Sequence, residues 1–209
     1  MFLLAGGLSS LGWASPALRL VDSLLPGSVR ALLPSQGWRI YTVADTMPRF
    51  DPRSWRLRLD GLVARPRDLG YEELLQLPRV EQTSDFHCVT GWTVTNVRWA
   101  GVRFHDLLKL IEPSPHAHAL RFVSAERPYE DTLTLEQALR PDALLAYEMD
   151  GRPLARPHGA PARVVMPAMY GYKNVKWVER IELVARPRDG FWEKLGYDRD
   201  AWVGHSNGA

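Results

Sequence analysis

The sole cysteine of the chain, Cys88, lies between a histidine and a glycine in the sequence Phe-His-Cys-Val-Thr-Gly-Trp at positions 86–92. A thiolate can act as a nucleophile or as a soft metal ligand. Most free cysteines are instead small buried hydrophobic residues. Two polar residues, Thr90 and Thr93, follow Cys88, which favours a position at the rim of a pocket. The segment by itself leaves all three roles open.

A second candidate is the sequence His-Gly-Ala-Pro-Ala-Arg at positions 158–163, in which glycine and proline predict a tight loop. The loop would hold His158 and Arg163 five residues apart, where the chain enters a strand. The planar guanidinium of an arginine fits phosphate through parallel hydrogen bonds. The alternative is an ordinary polar turn.

The third candidate, residues 170–177, places Lys173, Asn174 and Lys176 between aromatic residues and just after a glycine. A glycine lets the backbone approach an anion, and a lysine adds a point charge. If the segment is extended, alternation puts Asn174 and Lys176 on one face. The alternative is a solvated hairpin edge. The sequence has no Walker or dinucleotide glycine motif, which argues against a nucleotide site.

Short strands and short helices are predicted around these segments, without a regular βαβ rhythm. This pattern indicates an α+β fold with mixed sheets. Strands are predicted at 55–60, 120–125, 144–149, 162–166 and 178–184, and a strand or loop at 84–90. Helices are predicted at 71–77, after a turn at 99–102, and from a capping box at 134–137 to Leu139. The second of these helices has one apolar face, formed by Phe104, Leu107, Leu108 and Ile111.

Composition excludes several classes of protein. The chain has 209 residues, 45% of them hydrophobic, and a formal net charge of +2. Disorder is excluded by the apolar content, and the small charge argues against a nucleic-acid partner. One cysteine permits neither an intramolecular disulfide nor a metal cage of several cysteines. No stretch reaches the roughly 18 to 20 apolar residues of a transmembrane helix.

We expect two regions: an N-terminal segment at residues 1–40 and one domain at residues 41–209. The first 14 residues are apolar and rich in small side chains, and the first charged residue is Arg19. They are similar to the apolar part of an export signal without its basic start. A buried or membrane-surface helix is the alternative.

Taken together, five segments follow the order and spacing of the sulfite-oxidase-type molybdopterin-binding domain, which the sequence resembles from about Tyr41 to Trp202. The segment around Cys88, with 97–102, resembles the molybdenum-thiolate region of that family. Residues 144–167 and 170–183 resemble its pterin-phosphate region, and 58–66 its early strand and turn. The resemblance implies the sulfite-oxidase-type fold and an oxidoreductase that uses the molybdenum-molybdopterin cofactor.

The resemblance also implies roles for individual residues. Cys88 stands where the family has its molybdenum ligand, and Tyr129 where some members have a tyrosine close to the metal. In a regular strand the neighbouring His87 faces away from Cys88, so it would reach the pterin rather than the thiol. Residues that would contact the cofactor are Asp45, His87, Ser124, His158, Arg163, Lys173, Asn174, Val175 and Lys176.

The departures from the family pattern suggest a different substrate. Sulfite oxidases carry an arginine soon after the metal cysteine, whereas here Arg98 is the first arginine to follow Cys88. A sulfite dianion would bind poorly without that guanidinium. We expect a monomeric molybdopterin domain with no further dimerisation or haem domain, closer in extent to the periplasmic methionine-sulfoxide-reducing members.

The resemblance further implies two-electron oxygen-atom transfer on a small or protein-borne substrate of the sulfoxide type. Electrons would pass to or from a haem or cytochrome partner, soluble or bound to a membrane. The location would be the periplasm, with the cytoplasm as the alternative.

Two other functions remain open at this point. Cys88 could be the nucleophile of a thiol hydrolase or transferase with His87 or His158 as base, which would leave Arg163 and Lys176 without a role. Alternatively, the same fold could be a non-catalytic module that binds an anionic ligand or partner on its basic loops.

Overall fold

The computed structural model describes residues 37–207, and two five-stranded β-sheets dominate this part of the chain. The predicted export-signal remnant therefore lies almost entirely outside the described residues. The strands are β1 (Arg56–Gly61), β2 (Arg67–Gly70), β3 (Val80–His87), β4 (Thr93–Arg103), β5 (Ala119–Ser124), β6 (Glu130–Thr134), β7 (Leu144–Met149), β8 (Arg152–Pro153), β9 (Arg163–Val165) and β10 (Val178–Val184).

Three short α-helices and three 3-10 turns connect the strands within the described range. The helices are α1 (Tyr71–Leu75), α2 (Phe104–Ile111) and α3 (Leu135–Ala138). The 3-10 turns are Arg156–His158, Gly171–Lys173 and Glu193–Leu195. Within residues 37–207, no helix has both the length and the apolar character needed to cross a bilayer.

The first sheet has the strand order β2-β1-β10-β5-β6, with β1 and β10 parallel and the other neighbours antiparallel. Its inner face packs in the core. Leu59 lies opposite Ile181, which lies opposite Phe122, and all three are buried. Because side chains alternate across a strand, burial of this face fixes the register of the sheet.

The second sheet has the order β3-β4-β7-β8, and β9 also pairs with β7. The central strand β7 is buried on both faces at Leu144, Leu145 and Ala146. Gly101 lies opposite this strand, where a Cβ atom would be 2.0 Å from the Leu145 carbonyl oxygen. Glycine is therefore required for β4 to approach β7 at the register shift next to Ala100.

Several sequence predictions are confirmed by these elements. Strands β7 and β10 have the predicted bounds, and α2 buries the predicted apolar face. The capping box is also present. The Gln137 amide donates to Thr134 Oγ1 at 3.1 Å, and the Thr134 amide donates to Gln137 Oε1 at 2.9 Å. The mixed sheets and short helices confirm the predicted α+β class.

One local prediction is wrong. Residues 99–102 are not a turn, because Trp99 pairs with Gln82 on one side and Met149 on the other inside the long strand β4. Here tertiary pairing overrides the local pattern. The extended conformation that would place Asn174 and Lys176 on one face is absent, because the 3-10 turn Gly171–Lys173 interrupts residues 170–177. Strands β2, β6 and β8 were not predicted at all.

Candidate active site

Cys88 follows the last residue of β3 and begins the turn that leads to β4. The Cys88 amide donates to the Trp92 carbonyl at 2.9 Å, and the Gly91 amide donates to the Cys88 carbonyl at 3.0 Å. Gly91 has a φ of +86°, which the turn requires and glycine adopts without strain. The turn leaves the cysteine half-buried. The cysteine therefore lies partly exposed at the end of a hairpin, and its position at the rim of a pocket stays a prediction.

The thiol of Cys88 is paired with a hydroxyl rather than an imidazole. Its Sγ lies 3.2 Å from Thr90 Oγ1, which is its hydrogen-bond partner within residues 37–207. The Nδ1 atom of His87 is hydrogen-bonded to the hydroxyl of Thr93 at 3.0 Å, and Thr93 is the residue opposite His87 across the hairpin. The hairpin thus provides no Cys–His pair of the kind a thiol hydrolase needs.

Arg163, at the start of β9, is a buried cation held by neutral groups. Its side chain donates to the carbonyl oxygens of His158 (3.1 Å), Val164 (3.4 Å) and Asn174 (3.5 Å). No carboxylate lies within 4.0 Å of it in the described part of the chain. Burial lowers the pKa of Arg163 to about 10, so the guanidinium remains charged at neutral pH.

Phe86 connects this cation to the cysteine hairpin. The guanidinium carbon of Arg163 lies 5.4 Å from the centroid of the Phe86 ring, two residues before Cys88, and 5.2 Å from that of Trp99. The same Phe86 ring packs on Gly171, where an added Cβ would lie 2.4 Å from it. All three segments singled out in the sequence therefore meet around one aromatic ring.

His158 and Lys176 complete the basic cluster. His158 is buried, and its burial lowers its pKa to about 3, with further contributions from Arg163 and Lys176. It is therefore a neutral imidazole at pH 7. Burial, followed by the charge of Arg163, lowers the pKa of Lys176 to about 7, although Glu126 opposes this shift. The Lys176 ammonium lies 4.1 Å from the centroid of the Trp177 ring.

The loop carrying His158 packs closely on the backbone of Lys176. Gly159 has a φ of +104°, and an added Cβ would lie 2.9 Å from Lys176 Cβ. The Trp177 amide donates to the Gly159 carbonyl at 3.3 Å. A glycine is needed here for both reasons, the backbone conformation and the close approach. This contact is what places His158 beside Lys176.

The donor set fits an anionic pterin with its metal. Arg163 and Lys176 form no ion pair with any described residue, and the buried guanidinium has only carbonyl partners. A buried cation without a counter-ion is costly and is stabilised by a bound anion. A half-buried thiol joined to this cluster through Phe86 supplies a soft metal ligand. Residues 37–207 contain no group of three or more His, Cys, Asp and Glu side chains that could hold a metal by themselves.

Asn174 and Ser124, two of the predicted cofactor residues, direct their side chains to the protein backbone. The Asn174 side chain accepts from the Met166 amide at 2.6 Å. The Ser124 hydroxyl donates to the Lys176 carbonyl at 2.8 Å and accepts from the Glu126 amide at 2.9 Å. Both residues therefore hold the loop that presents Arg163 and Lys176.

Val175 is fully buried, and its carbonyl accepts from the Val164 amide at 2.8 Å. This bond ties the loop to β9 beside Arg163. Asp45 is an exposed residue in the irregular segment that precedes β1. Cofactor contacts for Val175 and Asp45 remain predictions.

Lys173 lies in a different environment from Lys176. Its ammonium donates to Asp131 at 2.5 Å and to Glu193 at 2.7 Å, and all three side chains are at most 2% exposed. Within the described residues, Asp131 Oδ2 and Glu193 Oε2 have no hydrogen-bond partner. Burial and Glu193 raise the pKa of Asp131 to about 8 in spite of the ammonium. Lys173 thus already has two buried carboxyl partners, and this makes it a poor ligand for a cofactor.

Tyr129 lies between these two environments. Its hydroxyl donates to the Tyr172 carbonyl at 2.6 Å, and its ring stacks on Phe191 with centroids 5.7 Å apart. Burial raises the pKa of Tyr129 well above its ordinary value, and the nearby carboxylates act in the same direction. Tyr129 therefore keeps its proton at neutral pH. Its predicted position close to a metal remains a prediction.

Glu126, Arg156 and Phe86 contribute to the site and were not found from the sequence. Glu126 is 4% exposed and accepts hydrogen bonds from the amides of Val43 and Ala44, which are 83 and 82 residues away in the chain. Arg156 donates to the carbonyls of Pro48 and Met47, which are 108 and 109 residues away. The partners of Glu126 and Arg156 are backbone atoms, and Phe86 contacts the Arg163 guanidinium. Since all these partners are distant in the chain, no local signal could have revealed the three residues.

The fold and the site define a molybdopterin-dependent oxidoreductase. Residues 44–192 match the family model for the oxidoreductase molybdopterin binding domain, and the chain belongs to that family. Its cofactor is the molybdenum cofactor, and the predicted sulfite-oxidase-type fold is confirmed.

Three oxidoreductases with similar sequences support this assignment. The chain is 36% identical over 154 residues to the uncharacterized oxidoreductase YuiH of Bacillus subtilis, covering 73% of this chain and 77% of YuiH. It is 33% identical over 175 residues to the protein-methionine-sulfoxide reductase catalytic subunit MsrP of Gluconobacter oxydans, covering 76% of this chain and 56% of MsrP. Identity to sulfite oxidase of Arabidopsis thaliana is 32% over 179 residues, covering 69% of this chain and 46% of the oxidase.

The sulfane dehydrogenase SoxCD of Paracoccus pantotrophus has a similar solved structure. Its TM-score is 0.64 and its sequence identity 26%, over 68% of this chain and 41% of that chain. The chain spans about half the length of MsrP and of sulfite oxidase.

Proposed function

We propose that this chain catalyses two-electron oxygen-atom transfer on a neutral sulfur compound, with molybdenum bound by Cys88. One observation carries the proposal: Phe86 joins the half-buried Cys88 hairpin to Arg163, a buried cation without a carboxylate partner among the described residues. A soft thiolate and an uncompensated guanidinium on one scaffold suit a cofactor with a metal at one end and a phosphate at the other.

The basic cluster would hold the phosphate end. Arg163 offers a charged donor fork, Lys176 adds a second cation, and the neutral imidazole of His158 adds a hydrogen bond. Asn174, Val175 and Ser124 would act by fixing the loop that carries these groups, with Val175 also near the cofactor through its backbone. Lys173, Asp45 and His87 would have lesser contacts at most.

The bound cofactor supplies the two-electron redox chemistry and the transfer of the oxygen atom. The protein contributes the environment for it. Cys88 would hold the metal, and the Thr90 hydroxyl would orient the sulfur through their hydrogen bond. Phe86 and Trp92, which flank Cys88 in sequence and have ring centroids 5.7 Å apart, would limit the access of water to the thiol. Tyr129 retains its proton. Because this proton is donated to the Tyr172 carbonyl, the hydroxyl oxygen would face the substrate as a hydrogen-bond acceptor.

The substrate would be uncharged at sulfur. The first arginine after Cys88 is Arg98, which lies opposite Thr83 on β3. Thr83 is five residues before the cysteine, roughly 16 Å along a strand. Arg98 also donates to the carbonyl of Asp150 in the β7–β8 turn. Arg98 would therefore not provide a guanidinium for a sulfite dianion at the thiol, whereas a small or protein-borne sulfoxide needs none.

Reduction of a sulfoxide consumes two electrons and two protons and releases a thioether and water. We propose that a separate haem or cytochrome protein delivers the electrons, at a membrane or in solution. The MsrP relative, named as a catalytic subunit, supports a partner of this kind. We further propose that residues 1–40 direct the domain at 41–209 to the periplasm, where it acts as a monomer.

Metal and pterin analysis of the protein from a molybdopterin-producing host tests the proposal. Wild-type protein should contain stoichiometric molybdenum and should turn over a sulfoxide faster than sulfite. Cys88→Ser should fold and retain pterin but lose turnover and the visible thiolate band. Near-normal turnover in this variant, or folded wild-type protein without molybdenum, would refute the proposal. Inactivation of metal-free protein by iodoacetamide, measured as loss of hydrolase activity, would support a thiol enzyme instead.

A further inference from the structure

Residues 41–48, named here the strap, form a segment without regular secondary structure that contacts the basic cluster. The Lys176 ammonium donates to the Tyr41 carbonyl at 2.6 Å. The strap is therefore in direct contact with a residue proposed to bind the cofactor phosphate. Its side chains do not form this contact, since Tyr41 is 52% exposed and only its backbone oxygen takes part.

Two further side chains hold the backbone of the strap. The buried carboxylate of Glu126 accepts from the amides of Val43 at 2.9 Å and Ala44 at 3.4 Å. The guanidinium of Arg156 donates to the carbonyl of Pro48 at 3.0 Å and also to that of Met47. Hydrogen bonds to charged groups are among the stronger ones in proteins.

Both anchoring residues are built into the site. Arg156 begins the 3-10 turn that carries His158, and its carbonyl accepts from the Trp177 indole at 2.8 Å. The amide of Glu126 donates to the hydroxyl of Ser124, and the same hydroxyl donates to the Lys176 carbonyl. A displacement of Arg156 would thus be transmitted to His158, and a displacement of Glu126 to Lys176. Both of these residues are proposed to bind the cofactor phosphate.

We propose that Glu126 and Arg156 are positioning residues that hold the strap against Lys176 and thereby slow the escape of the cofactor. The proposal rests on the proposed function. A lysine ammonium has three N–H donors, so Lys176 can bind the Tyr41 carbonyl and a phosphate together. A closed strap and a bound phosphate then stabilise each other through the same ammonium.

The anchoring contacts explain why the strap can open. Within the described residues, Lys176, Glu126 and Arg156 are the side chains outside the strap that bond to its backbone. Strap opening would break these bonds and expose the partly buried Val43, Ala44, Met47 and Pro48, but it would disrupt no strand pairing. Residues held by few contacts belong to the least stable parts of a fold. The same segment would therefore admit the cofactor and afterwards retain it.

The release rate of pterin from the molybdenum-loaded full chain tests this inference. Glu126→Ala removes the acceptor for Val43 and Ala44, whereas Glu126→Gln keeps a carbonyl acceptor and should restore retention. Arg156→Gln weakens the other anchor. We expect Glu126→Ala and Arg156→Gln to release pterin about tenfold faster, the factor that corresponds to about 1.4 kcal/mol. Arg152→Gln is the matched control, since Arg152 is exposed and forms no side-chain hydrogen bond with residues 37–207.

Amide hydrogen exchange at Val43 and Ala44 provides a readout that is independent of turnover. Exchange should be slower in loaded than in cofactor-free wild-type protein, and this difference should disappear in Glu126→Ala. Equal release rates for wild type, Glu126→Ala and Arg156→Gln would overturn the inference alone. Wild-type protein that takes up neither molybdenum nor pterin would overturn the proposed function as well, so the two failures are distinguishable.

Discussion

The Lys173 ammonium and the Asp131 carboxylate lie 2.5 Å apart, and both side chains are 1% exposed. Glu193 contacts the same ammonium, so two buried carboxyl groups share one cation. This triad connects the Gly171–Lys173 turn to β6 and to the C-terminal 3-10 turn. It fixes the carbonyl of Tyr172 that receives the Tyr129 hydroxyl. The triad therefore positions the loop, and a cofactor contact for Lys173 stays a prediction.

Lys173→Met should strongly destabilise the fold. The substitution leaves two buried carboxyl groups, Asp131 and Glu193, without the cation they share, and breaking a buried ion pair in this way costs about 3–5 kcal/mol. Lys109→Met is the matched control, because Lys109 is 61% exposed and pairs with Asp106 on the surface of α2. Its loss should cost about 0.5 kcal/mol or less. Urea unfolding of both variants measures the difference, and equal losses would contradict the structural role.

Asp131→Asn should change how stability depends on pH. The pKa of Asp131 is raised to about 8 in the fold from an ordinary 3.8, so the folded protein holds a proton that the unfolded chain has released. This contribution to stability is complete below about pH 4 and is lost as the pH rises towards 8. Relative to Asp131→Asn, wild type should lose free energy of unfolding across this window. Parallel stability curves for the two proteins would exclude a protonated Asp131.

Cofactor retention should weaken at alkaline pH because of Lys176. Its pKa is about 7 in the cofactor-free protein, and a bound phosphate would raise it. Binding should therefore be constant below about pH 7 and should fall above it by up to about tenfold per pH unit, since a proton must be taken up. Lys176→Met should remove this contribution to the pH dependence. The measurement is pterin retention between pH 6 and 9.

Arg163→Met should separate stability from binding. The cofactor should be retained less well by about 1.5–3 kcal/mol, the contribution of a hydrogen bond to a charged group. The cofactor-free protein should become more stable to heat, because the variant removes a buried cation without a counter-ion among the described residues. Unchanged cofactor occupancy would show that Arg163 does not bind the phosphate.

Gly159→Ala should damage the site more than an equivalent change elsewhere. Alanine at a φ of +104° is strained, and its Cβ would lie 2.9 Å from Lys176 Cβ. Gly196→Ala is the matched control, because Gly196 has a φ of +100° with nothing within 4 Å of an added Cβ. Both should lose about 1–2 kcal/mol from backbone strain. Only Gly159→Ala should also lose pterin, and equal retention in the two variants would show that this packing is unimportant.

Prediction from sequence was successful where local patterns are strong. The apolar face of α2, the Thr134 capping box and the strands β7 and β10 each have a signal within a few residues. The order of the Cys88, Arg163 and Lys176 segments indicated the family. Prediction failed at Trp99, because pairing with strands on both sides of β4 is decided by residues distant in the chain.

The roles of the two lysines in one short segment show the same division. The sequence by itself determined that a segment with two cations, an amide and a glycine follows the cysteine-bearing segment in the order typical of the family. This order indicated which cofactor the chain uses. Only the tertiary structure decided that Lys173 meets Asp131 and Glu193, while Lys176 meets the strap. The charge partners of a side chain depend on distant segments brought together by folding, and spacing along the chain does not encode them.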